Sequence, residues 1–399
     1  MMPAHPPAEV HPSPPPVKLK IIAKISYLLG ARWFQEALQT IFFIYLARVS
    51  TSTYGEFMMA LGLGSILLMV AEFGLNLPFV GLAVGSQGKI SDILSQALVL
   101  KAVFFILALT GALVFIVWQD YSPQLRQILL LIGMGVALEA LASTFFVALQ
   151  VEGRQDLEAK IRTAGTALGF GYGLLALFFG AAPLVIAFFK PIDSGIKLLG
   201  GVWLLVGRGN FQWLWPTLEK LRALVHLGLI FAIMEITASI YNKANLFFLQ
   251  KHDGAEAVAQ YSAAWQVVDG LSGIVANLVL QNVLYPLFCQ LWKQDRPAVA
   301  RLAHTSARWL LALALPLMFL LWVESDRIIP LIYGPRYTQA IWLQEYLVVT
   351  IIIVFWHNLA GFLLLSMGKE RMLLSFYLIG LTFNLAWCSL VLPIHPEGD

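Results

Sequence analysis

The sequence predicts an all-α, polytopic membrane protein with about eleven transmembrane helices in two pseudo-symmetric lobes. Three observations carry this: a very apolar composition, long unbroken apolar runs, and a one-sided distribution of basic residues between the runs. Hydrophobic residues are 59% of the 399 and charged residues 12%, far from the balance of a soluble domain. Hydrocarbon offers no partner to a backbone N–H or C=O, so a spanning segment must be a helix or part of a closed barrel. Barrel strands would be roughly ten residues long and alternate polar with apolar, which the runs here exclude. The net charge of +3 is spread along the chain and gives no nucleic-acid footprint.

Seven prolines in the first 17 residues predict a disordered cytoplasmic tail over 1–20 rather than a signal peptide. Spans follow at 24–47, 57–85, 94–118, 125–150, 159–180, 183–206, 223–249, 259–290, 305–324, 340–366 and 372–393. Each is long enough for a hydrocarbon core of about 30 Å. With the N-terminus inside, the cytoplasmic segments hold fifteen Lys and Arg, from Lys18, Lys20 and Lys24 through Lys89, Arg208, Lys220 and Arg222 to Lys369 and Arg371. The outer loops hold five: Arg48, Arg126, Lys251, Arg327 and Arg336. Basic residues are retained on the cytoplasmic side, and a missed helix would invert every later loop. The asymmetry therefore supports both orientation and count.

An internal repeat organises the spans. Ile25 to Val84 reads as helix, short polar turn with Tyr54-Gly55-Glu56-Phe57, and long helix, and Leu229 to Trp292 does the same with Val258-Ala259-Gln260-Tyr261. The offset is about 204 residues, the sign of a transporter built from repeats with its path at their interface. The predicted units are a six-helix lobe over 21–207, a basic cytoplasmic linker over 208–222, and a five-helix lobe over 223–399. Five helices against six predict that the second lobe lacks its last helix, as in a truncated chain.

Charges inside spans are costly, at least about 2.5 to 3.5 kcal/mol at the bilayer centre, so they face a cavity or a partner. Lys190, Asp193 and Lys197 share one helical face beside Pro191 in the sixth span; the alternative is that this segment is a loop. In the first span Arg32, Gln35, Glu36, Gln39 and Thr40 form a polar stripe, and Arg32 with Glu36 at i, i+4 fits either an internal ion pair or a transport role. In the seventh span, the repeat partner of the first, Glu235, Ser239 and Asn242 share a face with Lys243 beside them. Glu72, Glu139, Asp269 and His357 stand isolated in other spans and fit either proton carriage or a structural hydrogen bond.

Several chemistries are disfavoured. No loop exceeds about twenty residues, too little for the catalytic outer loops of membrane glycosyltransferases and polymerases. There is no Walker A sequence and no G-x-S-x-G elbow, so neither an enzyme nor a cofactor is indicated. Cys289 and Cys388 lie in apolar segments, and His5 and His11 make no metal pair.

The segments YLARVSTSTYGEF (Tyr45 to Phe57), AEFGLNLPFV (Ala71 to Val80), Tyr241 to Asp269, NVLYPLFCQL (Asn282 to Leu291) and Ile328 to Met372 together resemble, in order, the Wzx-type polysaccharide or oligosaccharide flippases. These belong to the multidrug/oligosaccharidyl-lipid/polysaccharide exporter superfamily. Asn245 stands where that family often has Asp. The resemblance implies movement of undecaprenyl-pyrophosphate-linked oligosaccharide from the cytoplasmic to the periplasmic leaflet of a bacterial inner membrane by alternating access, for O-antigen, capsule or exopolysaccharide. It implies lipid-linked oligosaccharide and membrane lipids as partners, with a polysaccharide polymerase and a chain-length regulator. Arg32, Glu36, Lys190, Asp193, Lys197, Glu235 and Lys243 would then be cavity charges, with the cations facing the pyrophosphate. The alternative within the superfamily is a cation-coupled drug or metabolite exporter.

Overall fold

A computed structural model describes residues 17–75, 90–207 and 211–391. Of the expected tail over 1–20, residues 1–16 lie outside the described residues and 17–20 already belong to the first helix; Lys89, Arg208 and the C-terminal 392–399 also lie outside the described residues. All regular structure among the described residues is helical. The first lobe comprises α1 (Val17–Val49), α2 (Thr51–Glu72), α3 (Ile90–Trp118), α4 (Pro123–Val151), α5 (Gln155–Phe178), α6 (Pro183–Ala187) and α7 (Phe189–Val206). The second comprises α8 (Leu218–His252), α9 (Gly254–Val275), a π-helical stretch (Ala276–Leu284), α10 (Tyr285–Gln294), α11 (Arg296–Val323), α12 (Ser325–Tyr333), α13 (Thr338–Leu347), α14 (Thr350–Ser366) and α15 (Glu370–Val391).

Helix covers part or all of each expected span, and the chain is a multi-pass membrane protein. Seven described helices are individually long and apolar enough to cross a bilayer, or eight if the bent pair α13 and α14, at 46°, counts as one. This is fewer than eleven because several spans are polar or broken. The sixth span is split at Phe188 into α6 and α7; Pro191 has no N–H with which to continue the ladder back to Ala187. The eighth passes from α9 through the π-helical stretch into α10. The second span stops at Glu72, capped by Phe73 in the left-handed conformation at φ 50°, and its expected continuation to 85 falls outside the described residues beyond Leu75. The linker ends earlier than expected, since α8 begins at Leu218.

The two repeats have matching corners. Ser50 alone separates α1 from α2, and its hydroxyl accepts from the Thr53 N–H to cap α2. Asp253 alone separates α8 from α9, and Gly254 takes φ 82° to make that turn. The two corners meet. Gly55 in α2 lies so close to Ala255 in α9 that a Cβ would fall on the Ala255 carbonyl oxygen.

At this end the lobes share one core. Phe42, Leu46, Tyr54 and Phe57 belong to the same buried cluster as Val258, Ala259, Tyr333 and Tyr337. Arg48 donates to the Ile332 carbonyl (2.8 Å) and to that of Leu331, two acceptors left free at the C-terminus of α12. Tyr337 donates its hydroxyl proton to the Ala47 carbonyl at 3.1 Å. Toward the opposite end each lobe also has a core of its own, Leu94, Phe145, Phe146 and Leu204 in the first and Val268, Leu280, Phe288 and Phe355 in the second, while a smaller cluster of Phe73, Leu75, Leu100, Leu224 and Ala232 still joins α2 and α3 to α8.

Gly55→Ala is expected to prevent the corners from meeting, whereas Gly171→Ala, with nothing within 4 Å of the new Cβ, leaves them unchanged. Spin labels at the exposed positions Ser52 and Thr338 check this by pulsed distance measurement. Gly55→Ala should add a longer-distance population, and an unaltered distribution would show that the crossing does not hold this end shut.

Candidate functional site

The expected charged face of the sixth span exists, and it is buried and paired. Lys190 reaches Glu139 Oε1 at 2.7 Å and Asp193 Oδ2 at 2.9 Å. Lys197 reaches Glu139 Oε1 at 3.1 Å and Asp193 Oδ1 at 2.7 Å. Thr166 also donates to Asp193 Oδ1 at 3.3 Å. Glu139 is thus not isolated: it comes from α4, whose contact with α7 completes a tetrad of two cations and two anions. Asp193 has no exposed side-chain surface, Lys190 and Lys197 have 10% and 6%, and Glu139 has 27%. Only Glu139 therefore has appreciable contact with space outside the tetrad.

Glycines make room for it. Gly165 and Gly169 in α5 face Asp193 and Lys197, Gly173 faces Phe42 and Phe189, and Gly135 in α4 abuts Lys190 and Pro191. A Cβ at Gly169 would sit 2.6 Å from the Asp193 Cβ. This i, i+4, i+8 stripe is the small-residue packing by which helices approach closely in lipid.

A second charge group lies where the lobes meet along α2, α3 and α8. Lys101, 2% exposed, donates to the Ala140 carbonyl (3.2 Å) and Ser143 Oγ (3.0 Å), and is within electrostatic reach of Glu72 and Glu235. Glu72 and Glu235 also sense one another. Gly74, at φ 60°, brings the end of α2 against Gly228, Phe231 and Ala232 of α8. Lys101 was not among the expected site residues, although a lysine eight residues into the third span was a readable signal.

A cleft of about 150 Å³ opens between α2, α8 and α9, lined among others by Ser65, Asn242, Lys243, Tyr261, Trp265 and Gln266. Lys243 is half-buried and makes no ion pair among the described residues, with Asp269 of α9 its electrostatic neighbour. Arg32 and Glu36 are both exposed on α1 and do not pair, so the internal salt bridge expected as one option is not made. Their helix is instead tied to α5 by Gln35, which donates to Thr163 Oγ1 at 3.1 Å. His357 is exposed on α14 with its ring 5.4 Å from that of Tyr377. The expected residues thus fall into separate places: the tetrad, Glu72 and Glu235 near Lys101, Lys243 in the cleft with Asp269 as its electrostatic neighbour, the α1 stripe, and His357. Asn245 joins none of the charges; it donates to the Tyr261 hydroxyl (3.4 Å) and accepts from Asn384 (3.2 Å). No group of three or more metal-ligating side chains occurs among the described residues.

Residues 21–292 match the model of the family described as polysaccharide biosynthesis protein. The chain belongs to this family. No curated protein matches the sequence. Solved structures share the fold of this polysaccharide biosynthesis family member. A multidrug resistance MATE family transporter of the MOP superfamily, in an inward-facing conformation, aligns with a TM-score of 0.69 at 12% identity, over 88% of this chain and 84% of that one. A MOP superfamily transporter from Pyrococcus furiosus, described as having a binding pocket of reversed polarity, gives 0.58 at 12% identity, over 92% and 88%. An outward-facing MATE family structure gives 0.53 at 14% identity, over 88% and 84%. The family and the MATE-like polytopic fold agree with the resemblance to Wzx-type flippases.

Breaking one arm of the tetrad strands a buried charge, at a cost of about 3–5 kcal/mol. Lys197→Met should therefore lower the thermal stability of the purified protein in detergent markedly. Adding Glu139→Gln restores neutrality, so the double variant should be more stable than the sum of the single losses allows. Strictly additive losses would show that these charges do not act as a unit.

Proposed function

We propose that this chain flips a lipid-linked oligosaccharide, carried on undecaprenyl pyrophosphate, from the cytoplasmic to the periplasmic leaflet of a bacterial inner membrane. The observation that carries the reading is the interlobe cleft, whose cation Lys243 makes no ion pair among the described residues, in a chain of the polysaccharide biosynthesis family. A pyrophosphate needs exposed cations, and Lys243 and the exposed Arg32 can supply them as point charge and fork. Lys190 and Lys197 are already matched by carboxylates, and their role in this reading is to hold α4, α5 and α7 together around the path. The glycan crosses through the polar cleft while the prenyl tail stays in lipid.

With the N-terminus cytoplasmic, the Ser50 and Asp253 corners lie at the periplasmic side, and the lobes are joined there. Closer likeness to the inward-facing neighbour (0.69) than to the outward-facing one (0.53) supports this assignment. Alternation then requires Gly55, Arg48 and Tyr337 to release their partners across the corner. Glu72 and Glu235 are acids within electrostatic reach of each other and of Lys101 where α2 and α3 meet α8. We assign proton coupling to this pair of acids on that placement.

The second reading, a cation-coupled drug exporter, is favoured by Asp269 and the aromatic rings beside the cleft, which would suit a cationic drug. Deletion of the gene, with complementation, separates the two. The flippase reading expects loss of surface glycan, restored by the wild type and by Lys243→Arg in part, but reduced about tenfold with Lys243→Ala at equal expression. Intact glycan with new sensitivity to cationic drugs would replace it with the second reading. In vesicles containing the purified protein, Glu72→Gln should abolish the response of transport to an imposed pH gradient, and an unchanged response would remove the proton assignment.

A further inference from the structure

We propose that the cleft between α2, α8 and α9 is a saccharide subsite in which one sugar ring of the transported glycan stacks on a wall made by Tyr261 and Trp265. The inference rests on the flippase reading and specifies what part of the substrate this cleft recognises.

Tyr261 and Trp265 stand one turn apart on α9, with ring planes 9° apart and centroids 6.2 Å apart, and both line the cleft. Nearly parallel rings stacked on successive turns hold one another in place and present aromatic surface to the cleft. The C–H faces of a pyranose, being weakly positive at hydrogen, suit the negative face of an aromatic ring. The hydroxyls around the rim of such a ring need donors and acceptors. Asn242, Ser262 and Gln266 supply them from the same cleft, in the usual composition of a small-molecule site: apolar walls with a few placed polar groups.

The platform is held in advance of any ligand. The Tyr261 hydroxyl accepts from Asn245 Nδ2 at 3.4 Å, and Asn245 Oδ1 in turn accepts from Asn384 Nδ2 at 3.2 Å and from the Cys388 thiol at 3.4 Å. Thus α15 braces Tyr261 through α8, and Tyr261 braces Trp265 by stacking. A rigid aromatic surface costs little ordering entropy on binding. A stacked aromatic pair alone would also suit a cationic drug, but Lys243 lines the same cleft and repels a cation while remaining able to meet a phosphate attached to the bound sugar. The volume of about 150 Å³ suits a single ring.

The test compares three lipids on one protein in nanodiscs: undecaprenyl pyrophosphate, and the same lipid bearing either one N-acetylglucosamine or one galactose. Wild type is expected to bind a sugar-bearing lipid about tenfold more tightly than the bare one. Trp265→Ala should bring that ratio close to one while leaving the affinity for the bare lipid intact, and Trp265→Phe should restore most of it. Gln266 is exposed and its amide donates to the Met58 sulfur at 3.4 Å, so Gln266→Ala provides a milder variant in which the ratio should also fall if Trp265→Ala does not fold. A ratio unchanged in these variants, or a wild type that binds the three lipids equally, overturns the subsite and leaves the flippase reading standing. A wild type that binds none of them overturns both.

Discussion

In hydrocarbon, apolar side chains gain nothing by leaving lipid for protein, so the two lobes must be held by close backbone contact and by polar groups. Helix α2 shows how much depends on this. Gly55 admits the Ala255 backbone of α9, Gly62 admits Leu246 of α8, and Gly64 admits Val136 of α4. A side chain at any of these positions would push away a different neighbour. A helix that contacts both lobes is thus one whose small residues face in several directions, and the joined corner at Ser50 and Asp253 is a consequence of that packing.

Charge is treated in two ways. In the tetrad, two lysines and two carboxylates are balanced and enclosed by glycine-lined helices, so desolvation is offset by four close ion contacts. Around Lys101 two acids, Glu72 and Glu235, lie within electrostatic reach, and in the cleft Lys243 makes no ion pair among the described residues. A buried charge with all its partners stabilises one arrangement, whereas an incomplete set can take up a proton or a ligand. The first kind lies inside one lobe and the second lies where the lobes meet, which is where a transporter needs responsive groups.

Much of the fold was legible in sequence. The long apolar runs and the short turns that follow the first and seventh helices appear in the structure, because helix formation in lipid and tight turns are local matters, although the turns shrink to the single residues Ser50 and Asp253. Breaks were read less well. Pro191 marked the split at Phe188 and was seen only as a neighbour of charges, while the π-helical stretch over Ala276–Leu284 had no local signal. The glycine stripe over Gly165, Gly169 and Gly173 was visible as a period of four, but which helix it admits was not.

The candidate site divides along the same line. Sequence alone determined that Lys190, Asp193 and Lys197 share a face, since that follows from 3.6 residues per turn. It also determined that such charges require a cavity or partners, which follows from the cost of ions in hydrocarbon. Only the tertiary structure decided which: Glu139 arrives 51 residues earlier in the chain to close the tetrad, Arg32 and Glu36 stay apart although their spacing permits a pair, and Tyr261 and Trp265 become the wall of a cleft rather than a lipid-facing surface. Helical period sets which residues share a face. The rotation of each helix against its neighbours sets what that face meets, and rotation depends on contacts made across the whole bundle.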